Sequence, residues 1–161
     1  IKESLHQYEG KEDIVLDGLD VSLLVIDLKY KVLMFSGAMH NLYLVREEEL
    51  TELKGNRIPI GGIASGMDNR FTTQMYVLYP DLRIYMSSDG YFDQFNGTSI
   101  KKFSKTRFRK LLVDMKDMPI AKQKGFIWKN HVEWKGSGYQ TDDICVFGCS
   151  VKHLLDGAET K

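Results

Sequence analysis

Cysteine is nearly absent from this sequence. Cys145 and Cys149 are the only two, at i and i+4 in "ICVFGCSV", a run that reads as a buried strand. Residues so spaced along a strand lie too far apart to be bridged. This excludes a disulfide scaffold and leads us to expect two reduced core thiols in a cytoplasmic protein. Net charge is missing as well: 22 basic and 22 acidic side chains cancel. There is then no global field to recruit nucleic acid or an anionic membrane, and a partner must be recognised locally. Long apolar runs are lacking. Stretches such as "VSLLVIDL" are too short to cross a bilayer, and the first residues do not read as a signal peptide. Proline occurs three times. No glycine-rich loop runs into Lys-Ser or Lys-Thr at the start of a helix, so "GNRIPIGGIASGMDNRF" reads as a connection rather than a phosphate cradle. His6, His40, His131 and His153 have neither metal-ligand spacing nor a triad-like arrangement with the cysteines.

What remains is the pattern of a folded domain. With 161 residues and 43% hydrophobic content, the chain can fill a core of its own. "IKESLHQY" reads as the end of a helix with Ile1, Leu5 and Tyr8 on one face and no cap before it, as though cut from something longer. Leu19 to Leu28 is rich in branched apolar residues and reads as a strand buried on both faces. "KYK" turns it into "VLMFSGA", an antiparallel hairpin. Asn41 to Arg46 and Leu50 to Lys54 form a second hairpin around "EEE". Phe71 to Leu78 and Leu82 to Ser87 form a third around "YPD". From Ser99 the period changes. Phe108, Leu111, Leu112 and Met115 mark one amphipathic helix. Ile120, Lys124, Ile127, Trp128 and His131 mark a second, with "KDMP" between them. His131 reads as a packed histidine. In the basic run "KKFSKTRFRK", Phe103 and Phe108 are expected to face the core and leave the bases in solvent rather than on a nucleic acid. Ile144 to Val151 closes the pattern as a last strand, and residues 152–161 read as a frayed tail. Strands, then helices, then a strand suggest an α+β fold with an antiparallel sheet system and segregated helices.

Two strand ends carry acids. "RIYMSSDGYFDQF" breaks at Ser88-Asp89-Gly90, and "GSGYQTDDICV" places Asp142 and Asp143 before the last strand, each site beside a small hydroxyl residue. Asp-Gly makes a good turn on its own, since Asp bonds its own backbone and Gly accepts positive φ. A carboxylate at a rigid sheet rim is also well placed to hold a cation. If the two strands are antiparallel neighbours, their acids meet at one rim, where hard cations such as Mg²⁺ or Mn²⁺ find carboxylate oxygens.

From about Ile1 to Val151, "LDGLDVSLLVIDLKYKVLMFSGAMHNLYLVR", "RIPIGG", "IYMSSDGYFDQFNG" and "WKGSGYQTDDICVFGCSV" together resemble the SpoIIE-like serine phosphatase domain. That family is a bacterial branch of the metal-dependent, protein phosphatase 2C-like superfamily. "SSDGYFDQF" and "TDDICV" are the most specific elements. The resemblance implies two stacked antiparallel sheets with helices outside (α-β-β-α) and a dinuclear Mn²⁺ or Mg²⁺ centre at one end. It also implies hydrolysis of phosphoserine or phosphothreonine by a metal-activated water. By position, Asp89 and Asp142 match the family's metal ligands, and Asp143 is expected to orient the loop. The implied substrate is a phosphorylated regulatory protein such as an anti-sigma-factor antagonist, with no nucleic acid and no direct membrane contact.

The departures carry equal information. The family's early Asp and its Asp-x-Thr-Gly-His-Gly motif have no counterpart here. Asp17 and Asp20 match a part of the pattern where no ligand is expected, and Asn41 stands where Pro is frequent. The sequence resembles the C-terminal portion of the domain, with N-terminal strands and half the metal site missing. The expectation is a partial domain inactive alone and prone to self-association or homodimer formation. A non-catalytic phosphatase-like binding module and a hydrolase of small phosphoesters are the rival readings.

Overall fold

The computed structural model describes residues 18–61 and 70–158. Seven strands form two antiparallel sheets. β1 (Val21–Asp27), β2 (Val32–Ala38) and β5 (Gln74–Val77) make a three-stranded sheet in the order β1-β2-β5. β3 (Leu42–Arg46), β4 (Glu49–Leu53), β6 (Arg83–Ser87) and β7 (Val146–Ser150) make a four-stranded sheet in the order β4-β3-β6-β7. Both expected early hairpins are present. In the first turn, Tyr30 N–H donates to Asp27 Oδ1 at 2.9 Å and Lys31 adopts φ 52°. In the second, Glu47 takes φ 54° beside the Arg46–Glu49 pair.

The alternation of side chains sets the layers. Leu42 and Leu44 of β3 and Ile84 of β6 join Leu33, Phe35, Leu78, Leu82 and Val151 in a core of buried residues between the sheets. Their neighbours Tyr43, Val45 and Tyr85 face the other way, into a second core with Phe92, Phe108 and Leu112 under the helices. β3 and β6 are therefore buried on both faces. α1 (Gly90–Asp93), α2 (Lys105–Asp114) and α3 (Ile120–Lys135) supply that second layer. Ser104 caps α2 by accepting Arg107 N–H, and α3 starts after Pro119 and ends at Gly136, φ 54°. Arg83 pins the break between them by donating to the Met115 and Met118 carbonyls. Phe103 and Phe108 are buried as expected, while Lys101, Lys102, Lys105, Arg107 and Lys110 are exposed. No described helix is long and apolar enough to cross a membrane.

Four expectations are corrected. Phe71–Leu78 and Leu82–Ser87 do not pair with each other: β5 pairs with β2, β6 pairs with β3, and "YPD" carries the chain between sheets. Leu78 and Leu82, at the two ends of that link, are both buried in the inter-sheet core, which a flat hairpin would not allow. β1 is covered on one face only, and Leu23 and Val25 are exposed. Cys145 is exposed, just before β7, whereas Cys149 is half-buried and packs against the inter-sheet core. The tail expected to fray begins as α4 (Val151–Ala158), anchored by Val151 and by Leu155 against the inter-sheet core. The expected helix at Ile1–Tyr8, together with His6 and Asp17, lies outside the described residues.

Candidate active site at the rim of the four-stranded sheet

β6 and β7 are antiparallel neighbours with Ser87 opposite Val146. The residues leaving β6 and those entering β7 therefore share one end of the sheet. Ser88 joins them. Its N–H donates to the Cys145 carbonyl at 3.0 Å, its hydroxyl donates to the Asp143 carbonyl at 3.0 Å, and its Oγ accepts Cys145 N–H at 2.9 Å. Ser88 thus acts as the clasp between the two acidic segments. Gly90 lies underneath, where a Cβ would fall 2.4 Å from the Asp143 carbonyl oxygen. The glycine is required for close approach and not for positive φ, since only Gly61 and Gly136 are the described glycines with positive φ.

Asp89 stands at the N-cap position of α1 but makes no side-chain cap hydrogen bond, and it is exposed. The simple turn-forming explanation for this residue therefore lacks its hydrogen bond. Asp142 is exposed too; its Oδ1 accepts Asp143 N–H at 2.7 Å, and its carbonyl accepts Gln140 Nε2–H at 2.9 Å. Both hydrogen bonds fix the loop that enters β7.

Asp89 also lines a cleft of about 110 Å³ with Asp20, His40, Asn41, Phe92 and Lys105. Sequence reasoning gave Asp20 and His40 no role. The signal was present in the first hairpin: β1 begins where β2 ends, with Val21 opposite Ala38, so Asp20 and His40 come to the same end of the sheet. Tyr43 lines the cleft as well. Burial, helped by Glu52 and opposed by Arg109, pushes its phenol up to about 12. It is therefore a neutral wall of the cleft at neutral pH.

Two exposed carboxylates on adjacent strand ends are the right donor type for a hard cation that keeps most of its waters. The number of donors is small, because among the described residues no three His, Cys, Asp or Glu side chains group as a metal-holding set.

The comparisons agree with this architecture. The family model "Stage II sporulation protein E (SpoIIE)" matches residues 4–152. A search of curated proteins gives no match. Among solved structures, the SiaA-PP2C domain of Pseudomonas aeruginosa is 31% identical with a TM-score of 0.75, over 81% of this chain and 51% of that one. The phosphatase domain of SpoIIE from Bacillus subtilis, presoaked with Mn, is 15% identical with a TM-score of 0.63, over 83% of this chain and 57% of that one. The catalytic domain of the serine/threonine protein phosphatase PstP in complex with two manganese ions is 15% identical with a TM-score of 0.58, over 89% and 62%. This chain spans about half the length of the SiaA domain it matches. A family model that runs through nearly every described element, both acidic strand ends included, settles the assignment: the chain belongs to the SpoIIE family and has a protein phosphatase 2C-like fold.

Proposed function

We propose that these residues are part of a metal-dependent protein phosphatase that removes phosphate from serine or threonine of a regulatory protein, with Asp89 and Asp142 among its metal ligands. One observation carries this reading: the β6–β7 pairing brings the Asp89 turn against the Asp142–Asp143 loop, and Ser88 holds them together. The two manganese ions bound to PstP and the Mn presoak of SpoIIE support Mn²⁺ or Mg²⁺ as the cofactor. Such a cation supplies Lewis acidity toward phosphate oxygens and water. The chain's own residues do the rest. Asp89 and Asp142 would hold the cation, Ser88 and the Asp143 backbone fix the loop, and Lys105 would offer a positive charge to a phosphate at the cleft that Asp89 lines and Asp142 does not. A phosphorylated anti-sigma-factor antagonist is the kind of substrate the reading favours, in the cytoplasm.

The shortage of grouped acids among the described residues favours a second reading, a phosphatase-like module that binds a partner without hydrolysing it. Phosphate release from a phosphoserine peptide separates them. The residues embedded in a full-length SpoIIE domain are expected to turn over with Mn²⁺ and to lose at least 100-fold in kcat on Asp89→Asn or Asp142→Asn. The 161 residues alone are expected to show little activity. Absence of turnover in the full-length setting would favour the binding module.

A further inference from the structure

Gln94 belongs to the motif "SSDGYFDQF", yet the proposed chemistry leaves it without a part. Asp89 stands at the N-cap of α1 and Gln94 at its C-cap, fully buried. Its side chain makes two hydrogen bonds, Nε2 donating to the Phe95 carbonyl at 3.0 Å and to the Tyr139 carbonyl at 2.8 Å. Both acceptors are carbonyls, so the amide nitrogen has to be the atom facing them. Oε1 is left buried with no partner among the described residues. A buried acceptor without a partner destabilises a fold, and an apolar side chain of the same length would remove it. What only the amide supplies is the pair of N–H donors, one of which reaches across to the loop after α3.

That loop has little else to fix it. Tyr139, Gln140, Thr141, Asp142 and Asp143 are all exposed, so no buried side chain anchors the stretch that carries the acids. The turn after α1 meets it at two further points. Trp134 Nε1–H, at the end of α3, donates to the Gln94 carbonyl at 3.0 Å. Gly97 lies so close that a Cβ there would stand 2.6 Å from the Gly138 nitrogen. From Tyr139 the restraint passes to the acids: Gln140 Nε2 donates to the Asp142 carbonyl, and Asp142 Oδ1 accepts Asp143 N–H. Ser88 then holds the Asp143 carbonyl and Cys145 N–H from the other side. The acidic loop is thus gripped at both ends by one stretch, Ser88 to Gly97, which also bears Asp89.

We propose that Gln94 is a positioning residue: by holding the Tyr139 carbonyl it sets the loop that places Asp142 opposite the Asp89 turn. It touches neither metal nor substrate and acts through the backbone of Tyr139 and the side chain of Gln140. Partners of this kind, one step behind a metal ligand, govern affinity by orienting the ligand. The consequence for the metal rests on the reading of Asp89 and Asp142 as ligands; the consequence for the loop does not.

The test compares the 161-residue chain with Gln94→Met, which keeps length and apolar bulk but removes both donors, and with Gly97→Ala, which forces the same contact apart and keeps the amide. Without metal, amide hydrogen exchange at Asp143 and Cys145 is expected to quicken about fivefold in both variants, while amides of the β6–β7 ladder keep their rates. In a Mn²⁺ titration, the concentration that half-broadens the Asp142–Cys145 amides should rise about tenfold in both. Unchanged loop exchange, quickening spread equally over the β6–β7 ladder as for a merely structural residue, or an unmoved Mn²⁺ midpoint would overturn the proposal. Should Mn²⁺ leave these amides sharp in the unaltered chain, the ligand reading fails by itself, and the exchange measured without metal still decides whether Gln94 positions the loop.

Discussion

Gly90 presses directly against the Asp143 backbone, close enough that a Cβ would stand 2.4 Å from its carbonyl oxygen and 3.3 Å from the carbonyl carbon of Asp142. Both obstacles are backbone, so neither can swing aside as a side chain would. Gly90→Ala is expected to push the Asp89 turn and the acidic loop apart. The cost should be about 1–3 kcal/mol, as for other overpacked sites, read as a lower denaturation midpoint at an unchanged m-value. An alanine variant as stable as the parent would mean that the two segments are not locked together.

Glu52 organises the opposite edge of the same sheet. Its side chain is 11% exposed and accepts hydrogen bonds from both Asn41 Nδ2 and Arg109 NH2. Asn41 in turn accepts Gly55 N–H through Oδ1. Removing the carboxylate strands Arg109, whose Nε is already buried without a partner. Because Arg109 is 39% exposed, solvent recovers part of the loss. Glu52→Ala is expected to cost about 2 kcal/mol, and a change below about 0.5 kcal/mol in chemical denaturation would contradict this role.

Alkaline pH should destabilise the fold through its tyrosines. Burial raises Tyr43 to about 12 and also raises Tyr85 and Tyr91, with the Gln123 hydrogen bond working against the shift at Tyr85. The unfolded chain releases these protons near 10 while the folded chain keeps them, so stability falls as pH rises through about 10 towards 12. Denaturation midpoints measured from pH 8 to 11 should decline above pH 10, with phenolate absorbance appearing late in the native state. Native tyrosines that all titrate together near 10 would contradict the burial account.

The outer face of the three-stranded sheet is open among the described residues. Leu23, Val25, Met75 and Val77 are each about half or more exposed there, and β1, β5 and β7 are edge strands. Apolar faces and unpaired edges recruit further chains. Light scattering of the 161 residues over a dilution series is expected to show concentration-dependent self-association. A compact monomer at every concentration, melting cooperatively, would rule it out.

The sequence made local pairing and chemistry legible, but not the layers. Both early hairpins announced themselves through strand–turn–strand patterns and both helices through their change of period. Lys124 and Trp128 of the second expected stripe are nonetheless exposed, and the packed face of that helix runs through Gln123, Ile127, His131 and Trp134. The shared rim of the Asp89 turn and the Asp142 loop was legible because strand ends carrying acids can be brought together by a single antiparallel pairing. The Phe71–Ser87 segment misled because its alternation fits a hairpin equally well. The β5–β2 and β6–β3 pairings, with Leu78 and Leu82 buried between the two sheets, show that the chain changes layer. The exposed face of β1 was hidden for a similar reason: "VSLLVIDL" is apolar on both sides, and composition does not say which neighbours cover it. Asp20 and His40 are less legible because they carry no paired acidic motif, and only the Val21–Ala38 register of the first hairpin brings them to the cleft that Asp89 lines.

The central claim is that the Asp89 turn and the Asp142 loop hold one divalent cation between them, and paramagnetic broadening by Mn²⁺ tests it independently of activity. Amide spectra of the 161 residues recorded during a Mn²⁺ titration should lose the signals of Ser88–Gly90 and of Asp142–Cys145 together, at substoichiometric metal. Either Asp89→Asn or Asp142→Asn should spare both segments at once. Broadening of one segment without the other, or broadening that survives both substitutions, would contradict the account.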